Sequence, residues 1–184
     1  MNEKQEYFKY RTGYHLWLVN KWSNRILNQE YSMINRHDFE RERDSHDEMK
    51  WLEPEYTPYL EITWNYRCKR LGIPNEIASD IKEQMHLATM HHIKNHRHHP
   101  EFWDDSFTYE HLNRNDRDEP TEHIVDGTKM PLTYVAAMVA DWLAMSEELG
   151  GHPKDWADKN VNIRWKFDKS QVDLIYRIIC EVWK

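Results

Sequence analysis

The sequence predicts an all-α fold, a single-domain helical bundle, and three observations carry that expectation. Apolar residues recur at helical spacing in five stretches, Pro or Gly punctuates the ends of several of them, and no run alternates with the period of two that marks a strand. Nine Trp, ten Tyr and five Phe can build a core although apolar residues make up 39% of the chain and charged ones 31%, because each aromatic ring buries a large area. At 184 residues the chain falls within the range of one domain, and no internal repeat divides it.

The first helix is expected over residues 5–28, where Phe8, Thr12, His15, Leu18, Val19, Trp22 and Ile26 share a face; His15 therefore sits on the core-facing stripe. Residues 29–45, with the charged run RHDFERERD, read as irregular. A second helix is expected from Pro54 to Leu71, with Pro54 and Pro58 in its first turns and Gly72 with Pro74 as a stop. A third runs from Asn75 to Asn95 with Ile77, Ile81, Met85, Ala88 and His92 inward, and Pro100 ends it or a short extension. Residues 104–129 are acidic and polar without a period and read as a long loop insert, of a length that often serves as a lid. A fourth helix spans Pro131 to Leu149, closed by Gly150 and Gly151, and a last one Ser170 to Trp183.

The net charge of -7 argues against a general nucleic-acid binder, which shows the opposite sign or a basic stripe. No apolar run approaches the roughly 20 residues that cross a bilayer, so no membrane association is expected. Cys68 and Cys180 sit in no metal-ligand spacing and read as free thiols of a reducing compartment; the charged N-terminus has no apolar signal core, and a cytoplasmic location is expected. Twelve His are the compositional outlier, six of them between His86 and His99. Such a stretch is either a solvated surface or a source of metal ligands.

Three features could carry chemistry. His46-Asp47 offers an imidazole and a carboxylate to one divalent cation, for which Mn, Fe, Co, Ni and Zn are all suitable; the second such dipeptide, His37-Asp38, lies in the charged run and reads as surface. His15 and Asp141 are polar residues on otherwise apolar helix faces, and a core-facing carboxylate must be paired or metal-bound. Taken singly, Asp141 is better explained as a helix-edge residue exposed to solvent or paired with Arg or Lys, and His15 as a satisfied core histidine. The run HHIKNHRHHPEFW, His91 to Trp103, places His92, Asn95 and His99 on one face if it is all helix, and His91, Asn95 and His98 on the next. Such a set can aim at a metal or at phosphate, or it can be a polar helix end.

The order His15, His46-Asp47, His91/His92, Asp141 resembles the ligand order of the HD phosphohydrolase superfamily. The segment HDEMKWLEPE, His46 to Glu55, is similar to a motif of a small HD-like family of unknown function in phage and bacterial genomes: His-Asp, two residues, Lys, an aromatic or Leu, two residues, Pro-Glu. HHIKNHRHHPEFW resembles that family's His-rich block, and MPLTYVAAMVADWLA, Met130 to Ala144, resembles its Asp-Trp block. The likeness runs from about His15 to the C-terminus. Met49 stands where family members carry a small residue, and Ala137 where they carry Glu. Lys50 occupies a position that is Glu in the superfamily's nucleotidases and Lys in its cyclic-dinucleotide phosphodiesterases.

The resemblance implies a bundle of the HD-domain type and a metal-dependent phosphohydrolase acting on a nucleotide or other small phosphate ester. His15, His46, Asp47 and Asp141 would hold one divalent transition-metal ion, with His92 as a further ligand and room for a second ion. Asp47 or Glu55 would take the proton of a metal-activated water, and Lys50 would neutralise phosphate charge. His91, Asn95, His98 and His99 would bind the substrate or a second ion. The alternative is a non-enzymatic helical binding protein, for instance a phage product that targets a host protein. Association into a homo-oligomer is compatible with either.

Overall fold

A computed structural model describes residues 2–113 and 121–184. Helix α6 (Leu132–Leu149) is buried nearly all round, from Thr133 to Ser146, as expected of a helix apolar on every face. Pro131 precedes it and Gly150, at φ 75°, ends it; the left-handed conformation at that position costs glycine nothing. Helix α1 (Glu3–Leu27), capped by Asn2 and Gln5, lies along α6 with Leu18, Val19, Trp22 and Ile26 inward. Helices α2 (Arg36–Asp44) and α8 (Lys169–Val182) pack on other sides of α6, and α7 (Pro153–Asn160) bridges α6 and α8. Together they form the main core, with Phe39, Val135, Val139, Leu143, Ile175 and Ile178 fully buried.

Helices α3 (Tyr56–Leu71) and α4 (Ser79–Asn95) form a second layer against the first half of α1. Their apolar contact with α1 is small: Phe8, Tyr59 and Ala88 are buried, with Tyr56, Leu60 and Ile62 beside them. The short α5 (Pro100–Trp103) follows α4 through a turn. The all-α class is therefore observed, and no helix of the described residues is long and apolar enough to cross a membrane.

Four expectations are corrected. The run RHDFERERD is helical as α2: Asn35 caps it by accepting from the Asp38 N–H, Arg36 pairs with Glu40 and Asp38 with Arg41, and Phe39 anchors it to the core. Helix α7 was not foreseen; Pro153 occupies its first turn and the His152 ring accepts from the Lys154 N–H. Helix α4 starts at Ser79 and ends at Asn95, so His96 to His99 leave the helix rather than extend it. The 104–129 segment is not featureless: it holds 3-10 turns at Tyr109–His111 and Gly127–Lys129 and a two-residue strand β1 (Val125–Asp126), parallel to β2 (Trp165–Lys166) with Val125 opposite Trp165. Residues 114–120 of the expected loop lie outside the described residues.

Candidate metal centre

The seam between the two layers collects polar side chains that neither layer could bury alone. His15 projects from the middle of α1, 3% exposed. His46 and Asp47 lie in the turn after α2, at 4% and 2%. Asp47 adopts φ 56°, left-handed backbone that Asp tolerates better than most residues and that here turns its carboxylate inward. His92 comes from the last turns of α4 and Asp141 from the middle of α6. The turn after α4 then brings His98 and His99 back, with the His98 ring stacked 4.3 Å from that of His46 and the His99 ring 4.9 Å from that of His92.

The inward atoms converge. His15 Nε2 lies 3.1 Å from Asp141 Oδ1 and 3.8 Å from Asp47 Oδ2. His46 Nε2 is 3.8 Å from Asp47 Oδ2 and 3.9 Å from Asp141 Oδ1, and is buried without a hydrogen bond. His92 Nε2 is 3.2 Å from Asp47 Oδ1. Two ligands each about 2.1 Å from one ion stand roughly 3 to 4 Å apart, so these separations suit a shared cation. His15, His46 and Asp141 form one group of that kind, and His46, Asp47 and His98 another. Two further groups are His92, His98, His99 and Glu55, His92, His96.

Each of three inward histidines has a carboxylate behind it. Glu55 Oε2 is 3.0 Å from His92 Nδ1, Glu42 Oε1 is 3.1 Å from His98 Nδ1, and Glu148 Oε2 is 3.6 Å from His15 Nδ1. Arg11 grips Glu148 at 2.7 Å. At His92 and His98 the carboxylate at Nδ1 can hold the proton there and leave Nε2 with its lone pair inward, the arrangement that supports metal-ligating histidines. The orphaned His46 Nε2 and this buttressing together fit a divalent cation.

The electrostatics agree. Burial pushes His46 down to about 3, with His98 and His15 adding to the shift, so the ring is a neutral ligand at ordinary pH. His96 falls to about 2 for the same reasons, beside His92 and His98. Burial would lower His15 too, but the Asp141 carboxylate at 3.1 Å, with Glu148 and Asp47 nearby, outweighs it and holds its pKa above the usual value. The Asp47 carboxyl, although buried, is held well below the carboxylate range by Lys50, His46 and His92, and Asp141 is held low by His15 and His46. Without a cation, Lys50 and His15 partner these acids; Lys50 Nζ sits 2.5 Å from Asp47 Oδ2.

The expected residues are not all here. Asn95 is exposed and donates to the His91 carbonyl at 2.7 Å, closing the end of α4, because the helix stops before it can turn inward. His91 binds Glu55 from the outer side at 2.8 Å and lines no part of the cavity. Glu55 is 0% exposed with both oxygens engaged by His91 and His92, so it positions His92 and is not a proton acceptor for water. His37 is 86% exposed, as expected of surface. His98, expected as a substrate contact, also falls in two of the candidate ligand groups. Glu42, Glu148, Arg11 and His96 were not anticipated; charged residues on helix faces carry no local sign that their partners come from other helices.

His15, Asp47, Lys50, His92, His98, His99 and Asp141 open onto one cavity of about 1480 Å³, which also reaches Arg164 and Trp165 of the opposite end. The chain belongs to a family of unknown function, DUF5662, whose model matches residues 4–180. No curated protein and no solved structure matches it.

Proposed function

We propose that this member of the DUF5662 family is a metal-dependent phosphohydrolase acting on a nucleotide or other small phosphate ester. One observation carries the reading: His15, His46, Asp47 and Asp141, from two helices and a turn, aim ligand atoms at one point at the wall of a large cavity, with His46 Nε2 lacking a partner among the described residues. Those four residues would hold a Mn, Fe, Co, Ni or Zn ion. His92, which also contacts Asp47, would join them or, with His98 and His99, hold a second ion. The bound ion would supply an acidified water and polarise a phosphoryl oxygen.

The chain's own groups do the rest. Lys50, a cavity residue paired with Asp47, would be free to neutralise phosphate charge where a cation shared that carboxylate. Asp47, once released by Lys50, would offer an oxygen to the proton of the attacking water. His98 and His99, on the same wall, offer ring nitrogens to the phosphate and the leaving oxygen. Glu55, Glu42 and Glu148 hold the rings in place. Both cysteines are free, in keeping with a cytoplasmic enzyme, and the net charge gives no reason to expect nucleic acid as a partner.

The test is to purify the chain without a His-tag, quantify bound metal by mass spectrometry, and screen phosphate esters with that metal. Asp47→Asn is the better control, because Asn tolerates the left-handed backbone that Ala would strain. Near-stoichiometric metal, lost in the variant together with hydrolysis, is expected. A wild-type chain that takes no metal even after reloading refutes the reading.

A second reading, a non-enzymatic helical binding protein, draws on an exposed row on α1. The Tyr10, Tyr14 and Trp17 rings lie 6.4 and 5.9 Å apart in sequence and nearly parallel, with Tyr10 71% and Trp17 58% exposed. A His46→Gln, Asp47→Asn double variant that loses metal but still binds its partner protein would favour it.

A further inference from the structure

The motif HHPE contributes more than His98 and His99. Glu101, the first residues of α5 having turned it inward, is 2% exposed. Its Oε1 accepts from the Trp165 indole N–H at 2.8 Å and lies 3.7 Å from the Arg164 guanidinium. Its Oε2 is buried and accepts nothing among the described residues. Trp156 of α7, half-buried, has an indole N–H in the same condition: buried, with no acceptor. Both border the same indole, since the Trp156 and Trp165 rings lie 6.4 Å apart. Both residues line the cavity that holds the metal centre, and Glu101 is two residues from His99.

Buried polar groups are nearly always satisfied, so an acceptor and a donor left unmet beside one indole mark a place where a ligand supplies the partners. Leu112 and Trp142 give the lobe apolar walls. Trp165 is fixed between neighbours, with the Trp142 ring nearly parallel to it and Arg164 over it at 4.4 Å, so the acceptor it orients is held rigidly. The complementary ligand is flat and apolar on its faces, with a donor beside an acceptor on one edge. An amino-bearing nucleobase has that edge: the exocyclic amine donates, and the neighbouring ring nitrogen or oxygen accepts.

We propose that Glu101 and Trp156 form a base-recognition lobe, in which Glu101 Oε2 accepts from the exocyclic amine of a nucleobase and Trp156 Nε1–H donates to the acceptor next to it. The proposal rests on the reading of the cavity as a nucleotide site and narrows its substrates to nucleotides of adenine, cytosine or guanine. A carboxylate that meets a base lacking the amine would be left open, which is how a buried polar group rejects the wrong ligand.

Binding of nucleosides tests this without any chemistry. Adenosine, cytidine, guanosine and purine riboside, which keeps the purine rings but has no amino group, are titrated into the metal-loaded full chain by calorimetry. At least one of the first three should bind about tenfold to a hundredfold more tightly than purine riboside, and Glu101→Gln should remove that preference. Trp156→Phe keeps an aromatic ring while deleting the donor and part of the indole, and should weaken the same nucleoside about tenfold while metal content stays at the wild-type value. A purely structural Glu101 would lower the midpoint of Glu101→Gln and leave the preference intact, and that result overturns the proposal. So does failure of all three amino-bearing nucleosides to bind a chain that holds its metal. Selective nucleoside binding by a chain that hydrolyses no phosphate ester would uphold the lobe and unseat the phosphohydrolase.

Discussion

The two layers that meet at the histidines are held by different forces. Around α6 the contact is apolar and closed: Val135, Val139, Leu143, Ile175 and Ile178 are fully buried together. Between α1 and the α3–α4 layer the apolar contact is Phe8, Tyr59 and Ala88, and Ile93 ties the end of α4 to the main core. Much of the remaining link to that layer is polar: Asp47 to His92 and, at the rim, Lys4 to Glu61, while Glu55 ties the start of α3 to His91 and His92 of α4 within it. Apolar burial is indifferent to metal and largely to pH, whereas a buried polar seam depends on the charges within it. The main core should therefore stand by itself, and the α3–α4 layer should stiffen when a cation occupies the seam.

The largest effect should come from the apolar side. Leu143→Ala empties a fully buried position of α6 and should cost about 2–5 kcal/mol in denaturant unfolding, by the same amount with or without metal. A cost that shrinks on adding metal would mean the two layers are not independent.

On the polar side, Glu55→Gln keeps the shape but weakens the hold on His92, and should lower metal affinity about 10–100-fold. In the wild type, metal should slow amide exchange in α3 and α4 more than in α6, and the variant should reduce that difference. Equal protection of all helices would refute the comparison.

The pH dependence of the metal-free chain should be smaller and should peak. His46 and His96 have folded pKa values of about 3 and about 2, against roughly 6.5 unfolded. The unfolded chain thus takes up protons first, and stability falls as the pH drops below about 6.5; the depressed Asp47, Asp141, Glu55 and Glu148 carboxyls extend the loss below about pH 4. His15 has the opposite sign. Its raised pKa gives stability that is complete below about 6.5 and is lost as the pH rises through its folded value. Thermal midpoints should therefore be highest near about pH 6.5; a steady rise from pH 5 to 8 would contradict the pairing of His15. The smallest effect is expected for Asn95→Ala, which removes an exposed helix-end hydrogen bond and should change stability by no more than about 0.5 kcal/mol, with metal content unaltered.

Helices α1, α3, α4, α6 and α8 were legible because each repeats apolar residues at its own helical period, a local property of the chain. Helix α2 was not, because Phe39 is its lone buried residue and its other positions are charged. His15, His46, Asp47, His92 and Asp141 could be named as candidates from residue type and from the likeness of their blocks to a known pattern. That the run from His91 to His99 breaks at His96 and folds His98 onto His46 could not be read, since the helix period continues plausibly through it.

The sequence by itself determined helices α1, α3, α4, α6 and α8 and which side chains were too polar for the faces they occupy. Only the tertiary structure decided that these side chains share one point, that Glu42, Glu55 and Glu148 stand behind them, and that Glu101 Oε2 and Trp156 Nε1 are buried without partners among the described residues. The physical reason is range: helix formation is set by neighbours three and four residues away, whereas a ligand set is assembled by the packing of helices that lie far apart in the chain.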